Sequence, residues 1–114
     1  MSAPDWMFSL ADATARLPED PNLFRFRYGL RRGSMKIGLY APKDQDTQTP
    51  HKQDELYIVI SGTADFIKAQ ERRPCASQDV IFVEAGAAHR FENFSEDFST
   101  WVIFWGPEGG ETIK

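Results

Sequence analysis

The stretch that decides the fold is His51–Gly62, HKQDELYIVISG, read together with Glu84–Asn93, EAGAAHRFEN. In the first, a histidine stands four residues before a glutamate and leads into an apolar run that a Ser-Gly pair ends. In the second, His89 follows the turn residue Gly86 and again enters a strand-like run. These are the two histidines of the chain, and both open strands. Two imidazoles and one carboxylate converging across strands make a site for a divalent metal ion.

Alternation refines that expectation. Side chains on a strand point to opposite faces in turn, so Thr49, His51, Gln53, Glu55, Tyr57 and Val59 share one face if the segment is extended throughout. Pro50 favours an extended conformation at Thr49. On the second strand His89, Phe91 and Asn93 share a face. The candidate metal ligands are therefore His51, Glu55 and His89, with Gln53 as a further candidate through its amide oxygen. Imidazole suits iron, zinc, copper and nickel, and the carboxylate extends the range to manganese. Taken singly, each histidine is more often a surface or hydrogen-bonded residue, and Glu55 is more often a solvated member of the Asp54-Glu55 pair; their joint placement favours the metal site.

Outward from these stretches the chain reads as strand and turn. Expected strands are Phe24–Tyr28, Met35–Ala41, Glu55–Ser61, Thr63–Lys68, Val80–Val83, Ala88–Phe94 and Phe98–Trp105. Turn chemistry separates them at Ser61-Gly62, Gln70-Glu71, Ala85-Gly86, Ser95-Glu96-Asp97 and Gly106-Pro107. Lys43–Thr49 is a polar loop without an apolar residue. Before the strands, Ser9–Leu17 predicts a short helix with Ser9 as N-cap, Asp12 at N3 and Pro18 as its stop. Short strands at close spacing without long helices between them predict an all-β sandwich or barrel. The domain reading is a helix and linker over 1–22, a β-barrel over 23–107 and a polar, fraying tail over 108–114.

Composition bounds the function. A chain of 114 residues supports one domain with one core. A net charge of −4 argues against a nucleic-acid partner. Arg25 and Arg27 alternate with Phe24, Phe26 and Tyr28 and read as the wet side of an amphipathic strand. The single cysteine, Cys75, excludes an internal disulfide and reads as a packing residue in a reducing compartment. No basic segment with a following apolar run stands at the N-terminus, and no apolar stretch approaches membrane-spanning length, so no membrane partner and a cytoplasmic location are expected.

The two stretches resemble the signature motifs of the cupin superfamily. The first motif runs Gly, five residues, His-x-His, three or four residues, Glu, six residues, Gly; His51, Glu55 and Gly62 match its second histidine, its glutamate and its closing glycine. The second runs Gly, five residues, Pro-x-Gly, two residues, His, three residues, Asn; Gly86, His89 and Asn93 match its later part. Four positions depart: Lys43 and Gln78 stand for the opening glycines, Thr49 for the first histidine and Glu84 for the proline. The strand pattern extends the resemblance over Met35 to Trp105, in the manner of small single-domain bacterial cupins. It implies a double-stranded β-helix, or jelly-roll, barrel.

The resemblance also implies a homodimer and a divalent ion (Fe, Mn, Ni or Zn) held by three protein ligands, since Thr49 removes one of the usual four. A small-molecule ligand is the expected partner. Two functions stay open at this point: a metal-dependent enzyme of dioxygenase, isomerase or lyase type, with Tyr57 as the candidate proton-transfer group, and a non-catalytic module that binds or senses a small metabolite through a degenerate site. Tyr57 and Phe91 are equally readable as core, and Asn93 as a residue that holds a loop.

Overall fold

A computed structural model describes residues 6–20 and 24–112. One helix, α1 (Leu10–Ala15), precedes eight strands: β1 (Phe26–Arg32), β2 (Met35–Tyr40), β3 (Asp54–Ser61), β4 (Thr63–Lys68), β5 (Glu71–Ala76), β6 (Val80–Val83), β7 (His89–Glu92) and β8 (Ser99–Trp105). They form two antiparallel sheets, a five-stranded one in the order β1-β2-β8-β3-β6 and a three-stranded one in the order β5-β4-β7. The fold is the expected all-β double-stranded barrel with a short N-terminal helix. No helix among the described residues is long and apolar enough to cross a membrane.

Alternation builds the barrel interior. On β3 the inward residues Glu55, Tyr57 and Val59 are buried while Leu56, Ile58 and Ile60 are half-buried. On β8 the inward set is Thr100, Val102 and Phe104. The facing sheet contributes Ala64 and Phe66 from β4, Cys75 from β5, and His89 and Phe91 from β7. Tyr57, Phe66, Phe91 and Phe98 meet as neighbouring rings 4.8–5.7 Å apart. Tilted and edge-on pairs at such distances add stabilisation beyond the area buried.

The outer face of the larger sheet has a cover of its own. Ala13 and Leu17 lie on Leu39 and Ala41, with Phe8, Ile60 and Trp101 beside them. Both faces of β8 are apolar because one lines the barrel and the other places Trp101 beneath the N-terminal segment and Trp105 against Phe82. The helix starts where the sequence predicts: the Ser9 side chain accepts a hydrogen bond from the Asp12 N–H at 3.1 Å. It is shorter than expected, ending at Ala15.

Three expectations about elements need correction. β5 was not foreseen, because Glu71–Ala76 is charged and contains Pro74. It is an edge strand paired on one side to β4, and an edge accommodates a residue with no N–H to donate. β1 runs beyond Tyr28 to Arg32, forming a hairpin with β2 across Gly33-Ser34. Among the described residues the tail makes backbone hydrogen bonds beyond Glu108. Gly109 N–H donates to the Lys52 carbonyl, and Glu111 N–H donates to Asp54 Oδ2 at 2.9 Å. Asp54 also accepts from Ala85 N–H, and these two backbone donors hold its carboxyl below the usual carboxylate range.

Candidate metal centre

His51, Glu55 and His89 come together at one end of the barrel, and their ligand atoms all lie within 4.8 Å of one another. Glu55 is fully buried at the start of β3, between β8 and β6. His89 opens β7 on the facing sheet and is buried; His51, just before β3, is half-buried. His89 Nε2 stands 2.9 Å from Glu55 Oε1, and His51 Nε2 stands 3.7 Å from the same oxygen. Donors bound at about 2.1 Å to one ion lie up to roughly 4.2 Å apart, so the two separations from Glu55 suit a shared ion, and the 4.8 Å bound on the whole cluster leaves the imidazoles only a small approach to make.

Glu55 carries the strongest sign of a missing partner. Neither of its buried oxygens makes a hydrogen bond, and its nearest polar neighbour is the His89 imidazole. A buried carboxylate without hydrogen bonds is costly, and a cation beside it is the simplest compensation. The residues present fit a divalent ion.

His89 is oriented as a ligand. Its Nδ1 lies 2.8 Å from the Ala87 carbonyl, which only accepts, so Nδ1 carries the proton and Nε2 faces Glu55. Burial works against a charged His89. The adjoining Glu55 carboxylate and the Ala87 carbonyl outweigh it, and the pKa rises above the ordinary 6.5. His51 moves the other way: burial lowers its pKa, and nearby His89 and Lys36 act in the same direction against the pull of Glu55 and Asp46.

The sequence pointed to the wrong amide. Gln53 donates its side-chain N–H groups to the carbonyls of Ser34 and Gly106, at 3.0 and 2.8 Å, and so joins two loops away from the cluster. The chain bends at Lys52-Gln53, which breaks the assumed alternation between His51 and Glu55. Gln48 occupies the site instead. Its Oε1 accepts from the Tyr57 hydroxyl at 2.9 Å and lies 3.1 Å from His51 Nε2.

Behind Gln48 stands Asp46, buried within the polar loop. Asp46 accepts from the Tyr40 hydroxyl at 2.6 Å, from the Gln48 backbone and side-chain N–H groups at 3.1 and 2.6 Å, and from Phe91 N–H at 2.9 Å. Because a carboxylate only accepts, it fixes which end of the Gln48 amide faces the histidines. The bond from the Gln48 backbone to Asp46 is an Asx turn, the local signal that marks this loop as ordered.

Tyr57 is buried with its hydroxyl 3.0 Å from His89 Nε2. Burial first, then the charges of Glu55 and Asp46, push its pKa well above the usual value, so it stays a phenol and a hydrogen-bond donor. Asn93 donates to Asp65 at 3.0 Å and holds a loop, as its sequence reading anticipates. Thr49 lines an aromatic cavity of about 230 Å³ that opens beside His51.

Known proteins agree with this architecture. The family model for the cupin domain matches residues 37–105. An uncharacterised protein of Streptomyces coelicolor is 43% identical over 81 residues, covering 69% of this chain and 77% of its own. A cupin 2 conserved barrel domain protein from Salinispora arenicola superposes with a TM-score of 0.68 at 20% identity, over 92% of this chain and 91% of its own. A Klebsiella pneumoniae protein with a double-stranded β-helix domain superposes with a TM-score of 0.75 at 14% identity, over 93% and 94% of the two chains. With its strand order, its paired motifs and this match over most of the barrel, the chain belongs to the cupin family.

Proposed function

We propose that this cupin barrel holds one divalent ion (Fe, Mn, Ni or Zn) on His51, Glu55 and His89 and uses it to act on a small oxygen-bearing molecule. The observation that carries the reading is the buried Glu55 carboxylate, without a hydrogen bond and flanked by two imidazoles. A bound ion there supplies Lewis-acid polarisation of a ligand oxygen. Gln48 offers an amide oxygen where the family's first histidine is replaced by Thr49, and Asp46 holds it in place. Tyr57 keeps its proton and donates to an oxygen at the centre. The buried rings of Phe66 and Phe91 close the barrel behind the site and exclude water.

Within that reading the chemistry is of dioxygenase, isomerase or lyase type. A second reading, a metabolite-binding or sensing module, draws on one observation: Tyr57 is held as a phenol, leaving no ready general base among the named residues. Exposed Val80 and Phe82 on the edge strand β6 support a homodimer.

A substrate panel on metal-loaded protein separates the two readings. The enzyme reading expects metal-dependent turnover or dioxygen consumption that is lost in His89→Ala. Saturable binding of a panel compound with no turnover by any of the four ions establishes the sensing module instead.

A further inference from the structure

The mouth of the site has a charge pattern that the metal centre does not explain. Arg31, Lys36 and Lys52 line one open groove of about 490 Å³ that also contains His51 and Phe104. Among the described residues none of the three has a carboxylate partner. Glu108 also borders the groove, which is left with an excess of positive charge in a chain of net charge −4.

Arg31 and Lys36 are direct cross-strand partners on β1 and β2. Like charges placed opposite each other weaken a strand pair, so folding alone does not favour this arrangement. Both reach over the same ring: the Arg31 guanidinium lies 4.1 Å from the Tyr28 centroid and Lys36 Nζ lies 5.9 Å from it. Lys36 Nζ is also 5.5 Å from the Phe104 ring, whose edge meets His51 at 5.0 Å.

The groove adjoins the apolar cavity, since Tyr28, His51 and Phe104 line both. Phe26, Tyr40, Tyr57 and Val102 wall the inner part. At the packing density of protein interiors its 230 Å³ suits roughly a dozen non-hydrogen atoms. A ring stacks favourably there, with Gln48 and Thr49 as the polar groups at hand.

We propose that the ligand of this site is a small organic anion, an aromatic or compact apolar carboxylate whose body fills the cavity and whose carboxylate is held by Arg31, Lys36 and Lys52. Arg31 suits a carboxylate because its planar fork donates two parallel hydrogen bonds, and the two lysines add charge without fixing direction. The proposal deepens the functional reading above and rests on it for the ion that the body of the ligand approaches. The cationic groove and the cavity stand on their own residues.

The test is a nuclear magnetic resonance titration of metal-free and zinc-loaded protein with benzoate, benzamide and acetate. Benzamide keeps the ring without the charge, and acetate keeps the charge without the ring. The proposal expects benzoate to bind with a dissociation constant on the order of millimolar or tighter, moving the amide signals of Tyr28, Thr49 and Phe104. It expects benzamide and acetate to bind at least about tenfold more weakly, since each lacks one of the two contacts. In the Arg31→Gln/Lys36→Gln double variant benzoate affinity falls at least about tenfold, while zinc stoichiometry is unchanged and the melting temperature does not fall, because the change removes two like charges that oppose each other across the hairpin.

Equal affinity for benzoate and benzamide overturns the proposal, as do equal affinity for benzoate and acetate, an unaffected double variant, or no benzoate binding in either form of the protein. Benzoate bound by a protein that takes up no metal sinks the metal reading and leaves the anion seat standing. Zinc bound without benzoate does the reverse.

Discussion

Glu55 places a carboxylate where burial costs several kcal/mol and supplies it with no hydrogen bond. In the metal-free protein the Glu55 carboxylate raises the pKa of His89, so a second proton competes with a metal ion for Nε2. Replacing Glu55 by Gln removes the buried charge and the carboxylate that raises the His89 pKa. Metal-free Glu55→Gln is therefore expected to melt at or above the temperature of the parent and to show none of the parent's metal-induced rise; a large loss of metal-free stability would contradict this.

The pH dependence follows from the same pair. His89 has its folded pKa raised above 6.5, so its contribution to metal-free stability is complete below that value and is lost as pH rises through the folded pKa. His51 has its folded pKa lowered, so its part grows as pH rises towards 6.5. Urea midpoints of the parent and of His89→Gln, compared from about pH 5 to about pH 9, isolate the His89 part: the parent's advantage shrinks with rising pH. Metal affinity runs the other way and rises with pH until His89 is neutral.

Gln48 and Gln53 give a contrast at the same scale. Gln48→Leu is expected to weaken metal binding about tenfold or more, and Gln53→Ala to leave it unchanged, by titration of each with zinc. His51, Glu55 and His89 were legible because the paired motif spacing survives in a linear string, even where the bend at Lys52-Gln53 breaks the alternation. Gln48 and Asp46 were not, because they reach the site from a polar loop whose path tertiary contacts decide.

At the scale of elements, the motif glycines have unequal jobs. Gly62 joins β3 to β4 at φ +79°, and a Cβ there would meet the Phe98 Cα at 2.7 Å. Gly86 has φ +82° but open space around it. Gly62→Ala is expected to cost well over 2 kcal/mol and Gly86→Ala only about 1 kcal/mol, because the second change meets backbone strain alone; chemical denaturation of both variants checks the order. The chain announces both glycines, and their different environments exist only once β8 has folded back beside the β3–β4 turn. Strands β4 and β6 run to the residues that the sequence pattern predicts. β5 escaped because a barrel edge tolerates Pro74 and a row of charges that a central strand would not.

At the scale of the whole molecule, the barrel divides its labour between its faces. The interior of the two sheets holds the histidines and the glutamate against a floor of aromatic rings. The N-terminal helix covers the outside of the larger sheet, and the tail is pinned through Asp54 at the end that carries the centre. The fold class was readable from strand spacing and the two motifs. The cover given by the helix was not, because a stretch as short as Leu10–Ala15 says nothing of which sheet face it will protect.

The measurement that tests the central claim most directly is the metal content of the purified, untagged protein by elemental mass spectrometry, with His51→Ala prepared alongside. The account predicts close to one divalent ion per chain in the parent and its loss in the variant. A parent that carries no metal, and takes up none when iron, manganese, nickel and zinc are each supplied, would contradict it.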